Sequence, residues 1–317
     1  MTDYKNLKLI ATSSPHIRGS ETTQGIMKDV IIAMLPALAY ACFNFGLRAL
    51  TLTLVSVAGC VFFEWLYRKL MKKPQSIQDL SSVVTGMLLA FNMPATLPWW
   101  MAIVGAFIAI VIIKQLFGGL GYNFANPAIV ARIALAVGFG AKMSAYPMGG
   151  GVDALASATP LAVSGELGSA NYVTLLLGTH GGVLGETCAI TILIGGIYLI
   201  ATKVISPVLP VTYLASVAVL SLCFGMDPIV QLLSGGLMLG AFFMATDYVT
   251  SPTTDKGKLI AGIFLGVVTM LIRKFGNMNE GVSFAILLMN LITPYIEVNT
   301  RQDKLGIAKK KKEAAAK

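Results

Sequence analysis

Charge is scarce in this chain. Only 12% of its 317 residues are Asp, Glu, Lys or Arg, about half the share of an ordinary globular protein, while 56% are apolar. Mean hydropathy is +0.75. A soluble protein this poor in charge could not wet its own surface, which excludes a cytosolic enzyme, a disordered chain and a secreted disulfide scaffold. Histidine is scarcer still: His16 and His180 stand alone, so no metal site is expected. Cys42, Cys60, Cys188 and Cys223 are far apart and form no C-x-x-C, which reads as small buried hydrophobes rather than zinc, disulfide or iron–sulfur ligands. The net charge of +9 has no basic stripe interleaved with aromatics, and nucleic acid is excluded as a partner. Residues 1–25 lack an apolar core and a cleavage signature, so no removable signal peptide is expected and the first span serves as its own signal.

What is abundant is apolar sequence in blocks. The 32 glycines and 15 methionines suit helices packed closely in lipid. Crossing the hydrocarbon takes about 20 apolar residues, and on that ruler the chain divides into about ten spans near 27–46, 48–68, 80–94, 98–117, 123–141, 184–204, 208–226, 229–247, 258–275 and 281–298. No charge interrupts the stretch from Leu80 to Ile113, yet one helix there would be roughly 50 Å long. Pro94 and Pro98 supply the break, and Asp79, Ser81 and Ser82 make an N-cap for the short third span. The expected fold is an all-α polytopic membrane protein.

Orientation follows from the basic residues. With the N-terminus inside, about 19 Lys and Arg fall on cytoplasmic pieces and about 4 outside, so both termini are expected in the cytoplasm. The organisation is then a cytoplasmic segment 1–26, a first five-helix half 27–141, an extracytoplasmic loop 142–183, a second half 184–298 and a basic tail 299–317. Lys309 to Lys312 in that tail either lie against anionic headgroups or form a solvated end. Thr85 to Ala90 echo Gly235 to Gly240, setting span three against span eight. An offset of five spans turns the halves upside down relative to each other, and inverted repeats with interrupted spans place a site near the midplane. Six residues of likeness also arise by chance in an apolar chain, so the repeat is one of two readings.

Charges inside or beside the lipid need a partner or a task. Arg132 sits about six residues into span five, where structural pairing is favoured over contact with a cofactor phosphate, a ring oxygen or a neighbouring subunit. Glu64 and Arg68 have the i, i+4 order of a surface pair. Glu186 and Asp227 fall at span ends, where capping is the ordinary role. Asp247 ends span eight beside a polar Tyr248 to Asp255 stretch that reads as a loop or partner contact near an ion path.

Two further stretches carry chemistry. The long loop 142–183 holds Asp153-Ala-Leu-Ala-Ser157-Ala158-Thr159-Pro160-Leu161, an acidic residue six places before a threonine. Gly118-Gly119-Leu120-Gly121-Tyr122-Asn123-Phe124-Ala125-Asn126-Pro127-Ala128 opens span five, with glycines that let backbone turn or approach a ligand and two amides that donate and accept. Its plain reading is a capped re-entrant turn with Pro127 in the first helical turn.

On these stretches and the ten-span layout, the chain resembles the D subunit of Rnf-type ion-translocating electron-transport complexes, and through it the B subunit of sodium-translocating NADH:quinone reductases. The resemblance implies FMN joined through a phosphoester to the last Thr of a Ser-(Thr/Ala)-Thr motif, here Thr159 after Ser157 and Ala158, with Asp153 as the acidic residue used by a flavin transferase. Ala156 stands where relatives often carry Ser or Thr. A threonine hydroxyl is a poor nucleophile without activation, so an external enzyme and an accessible loop suit this linkage. The resemblance further implies a non-covalent riboflavin near Asn123, Asn126, Gly118, Gly119 and Gly121; Arg132, for its charge inside the membrane, is a further candidate contact. It implies partners of the Rnf A, B, C, E and G types, a prokaryotic cytoplasmic membrane with the flavin loop on its outer face, and a ferredoxin:NAD oxidoreductase whose complete active site is not in this chain. A secondary transporter or channel explains the spans equally well but gives the Asp153–Thr159 loop no role, and a scaffold without flavin would be colourless.

Overall fold

The structure is a computed structural model that describes residues 22–146, 172–178, 181–186, 188–276 and 281–301. Among these residues there is helix at every predicted span and no strand. The elements are α1 Thr23–Phe45, α2 Leu47–Leu70, α3 Ser81–Phe91, α4 Trp99–Gln115, α5 Pro127–Gly138, α6 Ala189–Ala201, α7 Val208–Cys223, α8 Leu237–Leu239 running into π-helical Gly240–Met244, α9 Asp255–Phe275 and α10 Val282–Thr300. Helices α1, α2 and α10 are each long and apolar enough alone to cross a membrane. The protein is an all-α polytopic membrane protein.

Several spans are interrupted, and the sequence says where. Helix α3 has 11 residues, so it rises only about 16 Å, half of a bilayer core. It ends at Asn92, two residues before Pro94, and the chain continues without helix to Pro98, the N-cap of α4. Span eight breaks more deeply than its apolar run suggested. A short helix Pro228–Leu233 stops at Ser234, and Gly235 and Gly236 take φ of 75° and 63° before α8 begins. Glycine tolerates that left-handed backbone where side chains resist it. Leu80 before α3 takes a similar φ of 61°, so spans three and eight match in shape, in a different register from the sequence echo.

The two broken helices enter the bundle from opposite ends, and each entry is held by a cation of the following helix. At one end Lys114 of α4 donates to Ser81 Oγ at 2.6 Å and to Glu64 Oε2 at 2.8 Å. At the other, Arg273 of α9 donates to the carbonyls of Gln231 (2.6 Å), Ser234 (2.9 Å) and Gly235 (3.4 Å) and to Gln231 Oε1 (3.0 Å). Asp79 does serve α3, accepting from Ser81 N at 2.8 Å and from Ser81 Oγ, although Leu80 holds the cap position.

Close approach of backbones holds the helices together where lipid supplies no hydrophobic drive. Gly262 and Gly266 lie one turn apart on α9 against Thr212 and Ser216 of α7, whose Ser216 Oγ donates to Gly262 O at 3.1 Å. A Cβ on Gly266 would collide with Ser216. Gly266→Leu is therefore expected to pry α7 from α9 at a cost of about 1–3 kcal/mol, read as a lowered thermal midpoint in detergent, whereas Val267→Leu on the same helix should leave it unchanged.

Candidate functional site

The ends of the two broken spans meet in a polar junction. Asn92, which closes α3, donates to Leu88 O at 2.6 Å and lies 3.7 Å from Met244 Sδ at the end of α8. Met244 O accepts from Asn126 Nδ2 at 3.4 Å, and Asn126 Oδ1 caps α5 by accepting from Ala128 N at 3.1 Å. Asn290 of α10, with its amide turned to suit its neighbours, accepts from Asn126 N at 3.0 Å. Arg132 of α5 answers in the other direction, donating through Nη1 to Asn92 Oδ1 at 3.2 Å and Ser283 Oγ at 2.6 Å. Helices α5 and α10 thus each send a polar side chain to the other's N-terminal end. This is the structural pairing favoured for Arg132, and it draws on both halves of the chain.

Beside the junction, toward the Glu64–Lys114 end, lies a cavity of about 90 Å³. Its walls are apolar, from Met27 and Val30 of α1, Val84 and Leu88 of α3, Leu199 near the end of α6, and Phe242 and Phe243 of α8. Polar groups are few and converge: Ser81, Thr85, Lys114, Asn123, Asn126, Thr246 and Asp247. Apolar walls with a small set of placed polar groups are the lining of a small-molecule pocket. Val204, Ile205, Thr246 and Tyr248 also line a wider vestibule of about 630 Å³ that carries Lys203 and Lys258.

The sequence-predicted residues divide around this cavity. Asn123 and Asn126 line it, Asn123 steadied by a 3.0 Å bond to Ala125 O. Gly118, Gly119 and Gly121 do not; they form the bend that delivers the asparagines, with φ of 128°, 102° and 93°. A Cβ on Gly119 would come within 2.8 Å of Arg68 Nη2. Arg132 is in the junction rather than among the cavity walls. Asn126 as cap and Pro127 at the first helical position show the re-entrant turn, and the same residues face the cavity. Thr159, Asp153, Ser157 and Ala158 lie outside the described residues, as do His16, His180 and Lys309 to Lys312.

Four expectations are corrected. Glu64 and Arg68 are not a surface pair. Glu64 is fully buried, bound by Lys114 and by Ser76 Oγ, and Arg68 instead donates to Pro74 O at 2.6 Å and Gln115 Oε1 at 3.3 Å. Lys114, within span four, is no snorkelling surface cation: it is 2% exposed, one turn beyond the fully buried Ile110. Asp227 caps Pro228–Leu233, accepting from Ile229 N at 2.9 Å, but among the described residues Glu186 caps no helix and neither of its buried oxygens has a hydrogen-bond partner. The cysteines are not uniformly buried: Cys60 and Cys188 are, Cys42 is partly so, and Cys223 is exposed. Asp247 lines the cavity, accepting from Thr250 Oγ1 at 3.3 Å. Composition gave no signal for the Glu64–Lys114 pair, since the two residues are 50 positions apart.

A cavity beside the meeting point of two interrupted helices, lined by both halves of the chain, has the layout of membrane proteins built from two repeats. The chain belongs to the NQR2, RnfD, RnfE family, whose model matches residues 10–306. It is 49% identical to the D subunit of the Na(+)-translocating ferredoxin:NAD(+) oxidoreductase complex of Acetobacterium woodii, over 98% of this chain and 99% of that one. Identity to the D subunit of the proton-translocating ferredoxin:NAD(+) oxidoreductase complex of Clostridium ljungdahlii is 40% over 95% and 97%. Identity to the D subunit of the ion-translocating oxidoreductase complex of Alcanivorax borkumensis is 34% over 95% and 97%.

Proposed function

We propose that this chain is the electron-carrying membrane subunit of an ion-translocating ferredoxin:NAD oxidoreductase, bearing FMN on Thr159 and a second, non-covalent flavin in the cavity beside Asn123 and Asn126. The observation that carries the proposal is that cavity, set between the two halves of a chain whose relatives are named as the D subunits of such complexes. Its aromatic walls, Phe242 and Phe243, suit a flat ring, and its amides suit the ring's alternating donors and acceptors. A bound flavin supplies stepwise uptake and release of electrons; the chain's own residues position it, exclude water and fix its electronics. Asn126, tied at once to α5, Met244 and α10, makes the ring's surroundings depend on how the halves pack.

The remaining parts of the proposal follow from membership of such a complex. Partners are the Rnf subunits of A, B, C, E and G types, a flavin transferase that matures Thr159, and the lipid of a prokaryotic cytoplasmic membrane, with the 142–183 loop on the outer face. Moving a charge across 100 mV is worth about 2.3 kcal/mol, so electron passage across the membrane and Na+ or H+ movement elsewhere in the assembly can drive one another. A solute transporter would instead purify colourless. The absorption spectrum of the purified complex, followed by acid extraction of non-covalent flavin, tests the reading. Asn123→Ala with Asn126→Ala is expected to lower the extracted flavin to less than about a tenth, the worth of one or two lost hydrogen bonds per amide, while flavin on Thr159 is unchanged; unaltered extraction would leave these residues as a turn only.

A further inference from the structure

We propose that Lys114 is the ligand-binding cation of the cavity, donating to the flavin's N1–C2 carbonyl edge and favouring its reduced, negatively charged form. This rests on reading the cavity as the second flavin site. Among the described lining residues Lys114 is the single cation and Asp247 the single anion. An ammonium has three donors. One goes to Glu64 Oε2 at 2.8 Å and one to Ser81 Oγ at 2.6 Å, which leaves one for a ligand in the cavity that Lys114 and Ser81 both line.

The counterpart at the other end of the bundle shows what the plain structural version of this position looks like. Arg273 spends its guanidinium on three carbonyls and an amide oxygen around the entry of α8, and it lines neither the cavity nor the vestibule. A lysine does less stapling and has a compact head that a partner can share. Its placement is costly: a buried charge needs a buried partner, and Glu64, 0% exposed and steadied by Ser76, supplies it. Lys114 also lies in the last turn of a π-helical stretch, a winding frequent at functional sites.

The electrostatic sign is fixed. Two electrons from a ferredoxin-type donor and one proton leave one net negative charge on the ring, centred on the N1–C2 carbonyl edge. A cation there stabilises that charge, and the Glu64 carboxylate behind it offsets part of the effect. Two variants of the whole complex therefore move the potential in opposite directions. Glu64→Gln leaves the ammonium uncompensated and raises the midpoint potential of the non-covalent flavin. Lys114→Met combined with Glu64→Gln removes the pair without stranding a buried charge, lowers the potential, and releases the flavin on dilution about tenfold faster.

Spectroelectrochemical titration of the purified complex, with extracted flavin measured alongside, reads both quantities without any activity assay. Opposite shifts support the assignment. Retained flavin with the same potential in wild type and both variants overturns the role of Lys114 and leaves the cavity reading standing. A wild-type complex that yields no non-covalent flavin overturns the cavity reading, and the role of Lys114 with it.

Discussion

Thr159→Ala is expected to remove every covalently bound flavin from the chain. After denaturation and electrophoresis the wild-type band should fluoresce and the variant band should not, and the intact mass of the variant should equal that of its bare polypeptide. The argument is chemical. A phosphoester needs a hydroxyl, and Ser157 two residues away is not an equivalent acceptor if the transferase reads a fixed distance from Asp153. Asp153→Asn should then reduce flavin loading on an intact Thr159, while Ser157→Ala should have the smaller effect. The non-covalent flavin should persist in all three, since Asn123, Asn126 and Lys114 are on other elements. Flavin that survives Thr159→Ala on the denatured chain would place the linkage elsewhere and undo the loop's assigned role.

These expectations show which parts of the molecule a linear reading reaches. Span positions were legible because a lipid-crossing helix needs an apolar run, and charges or prolines bound it: Arg68 and Lys69 end α2, and Pro98 precedes α4. The asparagines were legible because Asn126-Pro127 is a cap followed by a first-turn proline. What the sequence concealed is what depends on depth and on other helices. An i, i+4 spacing put Glu64 beside Arg68, but that rule concerns neighbours on one helix, and the stronger partner for a buried carboxylate came from another helix. Lys114 follows the buried Ala106 and Ile110 at four-residue spacing, but its partner Glu64 on another helix is what lets a charge stay there. Met244 and Asn92 carry no motif, yet they mark where the two interrupted spans meet. The glycines were read as letting the backbone turn or come close to a ligand, and their backbone angles make the bend that precedes Asn123 in the cavity wall.

Arg132 is the residue whose loss should cost most in stability. Its Nη1 joins Asn92 at the end of α3 to Ser283 near the start of α10, so one side chain ties the first half's broken span to the second half. Arg132→Met leaves Asn92 Oδ1 and Ser283 Oγ to find other donors in a site where both residues are no more than 5% exposed. Stranding buried polar groups costs about 1–3 kcal/mol apiece, so a loss of about 2–5 kcal/mol is expected, read as a lowered unfolding midpoint in detergent and reduced recovery of the assembled complex. Arg132→Lys should rescue little, because a point-like ammonium on a shorter reach replaces a planar fork. Ser283→Ala removes one partner and should cost about 1 kcal/mol. Adding Asn92→Leu to Arg132→Met should recover part of the loss, since removing both partners spares the orphaned acceptor. If Arg132→Met instead unfolds like wild type while its non-covalent flavin is lost, the guanidinium serves the ligand and not the junction.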